Sequence, residues 1–317
     1  MEKGKGILYR GLMSSITFTW TVQPSEDGQL LRNYLREEKR ISRRALADIK
    51  YKGGKITVND QEVTVRYVVA TGDVVTINFP EEKVSEWIKP TMLPLDIVFE
   101  DDHLLVLNKP PYLPTIPSKG INEESLAGAV IHYYQENGIR STFHAINRLD
   151  KNTSGLLMIG KHRHIHDLFV KEHVKKNVRR TYLALVHGEV MDSSGTIDAP
   201  IGRKEGSIIE RTVTDAVDGQ SAVTHFEVVE RYRGATLVQL KLETGRTHQI
   251  RVHLSHKGHP IIGDTLYGGR EDGIDRQALH SSVLEFTHPL TDEVHILRRP
   301  LPKDMERLVE KWRNNLA

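Results

Sequence analysis

Residues 146–160 read INRLDKNTSGLLMIG, a polar segment followed directly by an apolar run. The run Leu156–Ile159 is short and continuous, which is typical of a strand buried on both faces. Arg148 and Asp150 would then lie on a turn at the edge of a rigid sheet, where a nucleophile or base would be placed. The same segment also fits an Asx turn or a capping aspartate, and taken alone it leaves both interpretations open.

The stretch Gly155–Lys161 also matches the G-x-x-x-x-G-K part of a phosphate-binding loop. In such a loop the next residue is Ser or Thr, which reaches the magnesium ion, but here it is His162. The residues between the glycines are large and apolar, which suits a buried strand better than a loop of exposed amides. We therefore interpret the stretch as a strand and expect no nucleotide cofactor.

Strands and helices alternate irregularly on either side of this stretch. Period-two alternation predicts strands at Tyr182–Val186 and Val238–Leu242, and helical spacing predicts a helix at Leu126–Gln135. Because no regular βαβ repeat is present, the sequence predicts an α+β fold with a mixed, largely antiparallel sheet.

The N-terminal part has its own pattern. Alternation at Ile16–Val22 predicts a strand, and apolar spacing at Leu30–Leu35 together with the N-cap Ser42 predicts two helices. Short β-branched runs predict strands at Lys55–Val58, Val63–Val69 and Val74–Phe79. We divide the chain into a strand segment at 1–27, a small α/β module at 28–80, a linker at 81–94, a main domain at 95–302 and a C-terminal helix at 303–317. The helix is predicted because Met305, Leu308, Val309 and Trp312 fall on one helical face.

Charge is distributed unevenly along the chain. With 44 Lys+Arg against 42 Asp+Glu, the net charge of +2 predicts no polyanionic partner by itself. Residues 28–80, however, carry ten cations against six acids, so the module is +4 and the rest of the chain sums to −2. Concentrated basic charge is typical of a nucleic-acid-binding surface, and equally of a solvated helical face.

Composition excludes several classes of chemistry. The absence of cysteine excludes a disulfide scaffold, a thiolate zinc site and a cysteine nucleophile. The histidines at 162–166 and at 248–259 lack the H-E-x-x-H arrangement, so no metal site is predicted. No apolar run approaches the roughly 20 residues that span a bilayer, and no signal peptide is evident. We expect a cytoplasmic protein with no membrane partner.

Four ordered motifs resemble those of the RluA-type pseudouridine synthases. Residues 147–157 resemble the signature H-R-L-D-x-x-T-S-G-L-L, and residues 107–110 resemble the N-K-P motif. Residues 180–188 are similar to the strand K-x-Y-x-A-x-V-x-G, and residues 243–268 match the third motif of the family. The basic module resembles an S4 RNA-binding domain in Ile41–Arg44, Val58–Asn59 and Gly72–Asp73. The resemblance implies a pseudouridine synthase fold preceded by a small S4-like α/β domain.

The resemblance also implies an activity, the isomerisation of uridine to pseudouridine in RNA without cofactor or metal. It makes Asp150 the catalytic carboxylate, either as nucleophile or as base on the sugar, with Arg251 as its partner and Tyr182 stacked on the target base. Arg148 resembles the residue that fills the place of an extruded base. Further substrate contacts are implied for Asn147, Thr153, Lys109, Arg246, His248 and Gln249. RNA contacts of the S4-like domain are implied for Arg40, Arg43, Arg44, Lys50 and Lys52.

Three residues depart from the family pattern and leave substrate detail open. Asn147 stands where the signature has His, while Tyr112 and Ile116 stand where the N-K-P loop usually has Gly and His. We expect ribosomal RNA as the first candidate substrate, transfer RNA as the second, and a monomer. Two other classes stay open, namely a catalytically silent RNA-binding or ribosome-assembly protein and a histidine-based metal hydrolase.

Overall fold

The computed structural model describes residues 16–118, 121, 123–170, 178–217 and 219–314, so the predicted segments 1–27 and 303–317 lie partly outside the described residues. The strands are β1 (Thr17–Thr21), β2 (Lys55–Val58), β3 (Gln61–Glu62), β4 (Val74–Asn78), β5 (Ile97–Glu100), β6 (Leu104–Lys109), β7 (His144–Ala145), β8 (Ser154–Gly160), β9 (Val178–His187), β10 (Ser194–Asp198), β11 (Ile201–Arg203), β12 (Arg211–Val213), β13 (Val223–Tyr232), β14 (Ala235–Leu242), β15 (Leu279–Thr287) and β16 (Val294–Arg298). The helices are α1 (Leu31–Asn33), which continues as a π-helical turn (Tyr34–Glu38), α2 (Arg43–Tyr51), α3 (Leu126–Glu136), α4 (Arg163–Val170), α5 (Gln249–His256) and α6 (Lys303–Asn314). No helix among these residues is long and apolar enough to cross a bilayer.

The main sheet has ten strands and follows the order β10-β13-β14-β9-β15-β8-β6-β5, with β7 and β16 paired to β8 and β15. Among the described residues, the pairings of this sheet are antiparallel except that of β8 with β15. This mixed, largely antiparallel sheet with helices on its faces confirms the α+β prediction. All seven residues of β8 are buried, including the run Leu156–Ile159 that the sequence predicts to be a buried strand.

Gly155 permits the close approach of β8 to β15. It has φ +110°, and a Cβ built there would lie 2.3 Å from the carbonyl oxygen of Ser281. No side chain fits at that distance, so the glycine that follows the Asp150 turn is required by backbone packing. The register in turn places Ser154 opposite His280 and fixes where the turn before β8 emerges.

The N-terminal module is a four-stranded antiparallel sheet in the order β1-β4-β2-β3, packed on α1 and α2. Because β1 pairs along its whole length with β4, the strand segment that we had set apart before residue 28 belongs to the sheet of the module. The predicted strand Val63–Val69 is wrong. Its carbonyls at Val65, Tyr67 and Val69 instead accept bonds from Arg32, Leu31 and Gly28. Backbone amides at the start of a helix have no acceptor within the helix, and these bonds supply one.

The contacts of the module with the main domain include aromatic rings and a hydrogen bond from Ser42. Phe18 of β1 lies with its ring centroid 5.5 Å from that of His103 and 5.2 Å from that of His162. Ser42, the N-cap of α2, accepts a bond from the Ala45 amide and donates one of 2.8 Å to Asp167 of α4. The N-terminus of α2 is therefore bonded to α4, the helix that follows β8.

The predicted linker and the C-terminal helix also contact the main domain. Within the predicted linker, Glu82 accepts a bond of 2.9 Å from the Arg163 amide at the start of α4. In α6, Met305, Leu308 and Val309 are buried in the main core, as their helical spacing predicted.

Candidate active site

The turn before β8 opens into a cavity of about 600 Å³. Its walls come from the loop 114–116, from residues 145–153, from β9 and from the stretch 242–251, which runs into α5. Segments distant in sequence thus meet around Asp150, whose side chain is 29% exposed. The buried strand fixes the position of the turn, and the partial exposure leaves the carboxylate accessible from the cavity.

Arg251 connects Asp150 to a second, buried carboxylate. Its Nη1 donates a hydrogen bond of 3.1 Å to Asp150, while Nε and Nη2 donate bonds of 2.7 and 2.8 Å to Asp264. Although burial opposes it, the bonds to Asp264 and Asp150 raise the pKa of the Arg251 guanidinium. The guanidinium therefore carries a permanent positive charge. Its two bonds to Asp264 fix its orientation, and a third N–H points at Asp150.

Tyr182 lies on β9 and reaches the cavity from the sheet. It is almost fully buried, and burial raises the pKa of its hydroxyl. Arg180 lies two residues earlier on the same strand, so its side chain points to the same face and also lines the cavity. The ring and the guanidinium form one wall beside Asp150.

His248 is the third side chain close to the carboxylate. Its Nε2 lies 3.9 Å from Asp150 Oδ2, and its Nδ1 lies 2.8 Å from the hydroxyl of Tyr267. Burial lowers the pKa of His248, and the charge of Asp150 partly offsets that effect. His248 has φ +57° and is the N-cap residue of α5, so the backbone turns sharply where the helix begins.

Several predicted substrate-binding residues form hydrogen bonds to other groups of the protein. The Gln249 amide accepts from Thr244 and the Arg246 backbone and donates to Val223 and Thr224. The Asn147 oxygen accepts from the Met158 amide, and the Thr153 hydroxyl accepts from Gln277. All three residues line the cavity, and these bonds fix the position of its walls. Arg148 is exposed at the rim, and Arg246 lies there with its Nε bonded to Ser221.

The predicted RNA contacts of the module lie away from this cavity, and none of them lines it. Arg43, Arg44 and Lys50 project from α2 and are exposed, while Lys52 pairs with Asp48 at 2.9 Å. Arg40 precedes α2 and has φ +55°. These cations form an exposed basic surface, which we call the α2 surface.

Other residues of the site received no role from the sequence. Asp264 and Tyr267 lie within the third motif, and Arg180 lies in the strand motif, but motif membership alone did not say what they contact. Tyr267 accepts a bond from the Arg211 amide, and its ring faces Arg251 at 4.9 Å. In the two histidine-rich stretches, His162 packs against Phe18, and His253 bonds Thr224 and Ala199.

Lys109 is buried beneath the turn that carries Asp150. Its Nζ donates to the carbonyls of Pro110, Leu113 and Lys151 at 2.8, 2.8 and 2.9 Å, which gives each ammonium N–H an acceptor. Burial lowers the pKa of Lys109 from 10.5 to about 7, and the charge of Asp150 only partly offsets that effect. The residue therefore supports the turn, although burial of its charge is unfavourable.

This cost predicts a pH dependence of stability. Because the folded-state pKa lies below the unfolded value, the folded protein binds fewer protons between pH 7 and 10.5, and stability rises with pH across that window. Between pH 7 and roughly pH 9.5 the wild type should gain up to about 3 kcal/mol of unfolding free energy relative to Lys109→Met. Denaturant titrations at both pH values measure this difference. Lys257→Met, at an exposed lysine, is the control, and parallel pH curves for wild type and Lys109→Met would contradict the prediction.

Comparisons with known proteins show which family this chain resembles. A family model described as RNA pseudouridylate synthase matches residues 103–256. The uncharacterized RNA pseudouridine synthase YjbO of Bacillus subtilis (strain 168) is 51% identical over 270 residues, covering 85% of this chain and 95% of that protein. Ribosomal large subunit pseudouridine synthase D of Vibrio parahaemolyticus is 36% identical over 320 residues, covering 96% and 97%.

A solved structure shows the same fold. Human RNA Pseudouridylate Synthase Domain Containing 1 matches with a TM-score of 0.54 at 26% identity, covering 69% of this chain and 95% of that one. The sequence relatives extend over most of the chain, and the family model includes the Asp150 turn, Tyr182 and Arg251. The chain therefore belongs to the RNA pseudouridine synthase family, whose members are isomerases acting on RNA.

Proposed function

We propose that Asp150 is the catalytic carboxylate with which this enzyme isomerises uridine in structured RNA. The observation that carries the proposal is that, among the described residues, Asp150 supplies the only carboxylate lining the cavity, and Arg251 donates to it at 3.1 Å. A capping or Asx-turn role does not require a buried guanidinium aimed at the side chain. The arrangement instead suits a carboxylate that must keep one orientation while it reacts.

The reaction breaks the bond between the sugar C1′ and N1 of the base and joins C1′ to C5, while C5 loses a proton and N1 gains one. Asp150 acts on the sugar either as the nucleophile that forms a covalent intermediate or as the base that removes a sugar proton. Tyr182 provides a ring on which the free uracil stacks while it rotates. Arg251 holds the carboxylate in place throughout.

The charge of the cavity suits a phosphate-bearing substrate. Arg148, Lys151, Arg180, Arg246 and Arg251 line it, and Asp150 is the single acid among the described lining residues. A uridine within folded RNA must leave its stack before it reaches Asp150, at a cost of a few kcal/mol. We propose that the exposed Arg148 fills the place that the base vacates.

The N-terminal module is proposed as an S4-like RNA-binding domain. The α2 surface is exposed, and α2 is tied through Ser42 to α4, whose His166 lines the catalytic cavity. RNA bound along α2 would thus be held at a fixed distance from Asp150. Contacts of this kind act on phosphates, so they position the RNA without reading its sequence.

The variant Arg43→Ala with Arg44→Ala tests this role. Removing two phosphate contacts should raise KM for RNA and reduce the slope of log binding constant against log salt by about 1.5, with kcat little changed. Filter binding at several salt concentrations measures the slope. Arg233→Ala with Arg298→Ala removes the same charge from exposed positions elsewhere and should leave the slope as in wild type. Equal slopes for the two double variants would contradict the assignment.

We propose that the substrate is RNA of the large ribosomal subunit, with transfer RNA as the second candidate. The support is the similarity to ribosomal large subunit pseudouridine synthase D along nearly the whole chain, module included. Mapping pseudouridines in total RNA from cells with and without the gene tests this directly. Loss of sites in large-subunit RNA supports the proposal, whereas loss confined to transfer RNA would overturn it.

A further inference from the structure

The backbone turn that carries Asp150 is held at every carbonyl. The Leu149 carbonyl accepts from the Thr115 hydroxyl at 2.7 Å, and the Asp150 carbonyl accepts from the Thr153 amide at 3.1 Å. The Lys151 and Asn152 carbonyls accept from Lys109 Nζ at 2.9 Å and from Arg276 Nη1 at 3.0 Å. Three of these donors are side chains from segments distant in sequence, so the conformation of the turn depends on tertiary contacts.

Arg276 is the donor that links this turn to the C-terminal helix. Its side chain is fully buried, and its Nε and Nη2 donate to the carboxylate of Asp304 at 2.7 and 3.0 Å. Asp304 is the second residue of α6, which buries Met305 and Leu308 in the core. A buried guanidinium without its carboxylate is strongly disfavoured, so the orientation that reaches Asn152 depends on Asp304.

We propose that Arg276 and Asp304 are positioning residues for catalysis, through which α6 holds the turn that aims Asp150. The inference rests on the proposed role of Asp150. Neither residue touches the cavity, and both act through the Asn152 carbonyl. The C-terminal helix thereby becomes part of the catalytic apparatus, because a shift of the turn by about 1 Å is enough to slow a reaction by roughly a hundredfold.

The helix itself offers a matched control. At its other end, Arg313 donates to Glu230 of β13 with bonds of 2.9 and 2.6 Å, a second two-bond ion pair between α6 and the main domain. Arg313→Gln breaks this pair without affecting the Asp150 turn. Asp304→Asn breaks the pair with Arg276, and Asp304→Glu tests whether a carboxylate in the same place restores function. Arg276→Met with Asp304→Leu replaces both charges by apolar groups, which keeps the core packed while removing the donor to Asn152.

The test measures tritium release from 5-tritiated uridine RNA together with hydrogen exchange at the Thr153 amide, which bonds the Asp150 carbonyl. We expect Asp304→Asn and the apolar double variant to lower kcat by about tenfold or more with KM within about twofold, and to speed exchange at Thr153. Asp304→Glu should recover much of kcat. Arg313→Gln should leave kcat, KM and exchange as in wild type.

The failure of this inference can be told apart from the failure of the proposed function. If Asp304→Asn matches Arg313→Gln in both kcat and Thr153 exchange, the positioning role is wrong, whatever the role of Asp150. If the apolar double variant recovers full kcat, Arg276 and Asp304 serve stability alone, and the inference is likewise overturned. If instead Asp150→Asn remains active, the proposed function fails, while the exchange data still report whether α6 holds the turn.

Discussion

Replacing Asp150 with asparagine should lower the rate of pseudouridine formation by at least about a thousandfold, the scale of loss when a nucleophile or base is removed. The amide has nearly the same shape and can still accept a bond from Arg251, so folding and RNA binding should persist. It cannot, however, attack the sugar or remove a proton. Tritium release from 5-tritiated uridine RNA measures the reaction, and filter binding measures the affinity for RNA.

The chain provides a control for the change of charge. Asp96 is an exposed carboxylate that pairs with Arg299 at 3.2 Å, away from the cavity, and Asp96→Asn should release tritium at the wild-type rate. If Asp150→Asn also releases tritium at that rate, Asp150 is not the catalytic carboxylate. If it loses both RNA binding and the folded state, a structural role explains the loss and the assignment is likewise contradicted.

Replacing Arg251 with methionine should have the second largest effect, because two carboxylates depend on this side chain. Asp264 is 1% exposed and would be left as an uncompensated buried charge, which costs about 3–5 kcal/mol of stability. Asp150 would lose the donor that orients it, and kcat should fall at least about a hundredfold. Thermal unfolding and tritium release measure the two effects separately.

A double variant separates these two effects. Arg251→Met with Asp264→Leu removes both buried charges, so much of the stability should return while kcat stays low. Recovery of kcat along with stability would show that Arg251 serves only to neutralise Asp264. Arg251→Lys keeps the charge but lacks the planar fork that bonds two carboxylates, so we expect an intermediate activity.

The local sequence predicted elements whose burial pattern or cap is encoded in their own residues. β8 was predicted because an apolar run buried on both faces needs no information from other segments. The helix α6 followed from the spacing of Met305, Leu308 and Val309, and α2 from the N-cap Ser42. The residues 63–69 were assigned wrongly, because their carbonyls bond the start of a helical segment over 30 residues earlier, and β-branched composition carries no such information.

The residues of the candidate site were identified from motifs rather than from spacing. Asp150, Tyr182 and Arg251 were named through a family resemblance, and the structure brings all three to one cavity. Contact of Gln249 and Asn147 with substrate stays a prediction, and the structure adds that their amides bond the backbone of the cavity walls. The motifs did not predict these bonds, because a side-chain hydrogen bond depends on which groups are its neighbours in space.

By itself, the amino-acid sequence determined the class of fold, the buried strand that ends the turn, the excess of basic charge in the N-terminal module and the exclusion of thiol chemistry. Only the tertiary structure decided how the catalytic turn is held, since Arg276 lies 126 residues beyond Asp150 and Asp304 lies 28 residues further still. Their bonds follow from the pairing of β8 with β15 and the docking of α6. Periodicity reports which face of an element is buried, whereas a hydrogen bond between distant segments depends on which buried faces meet.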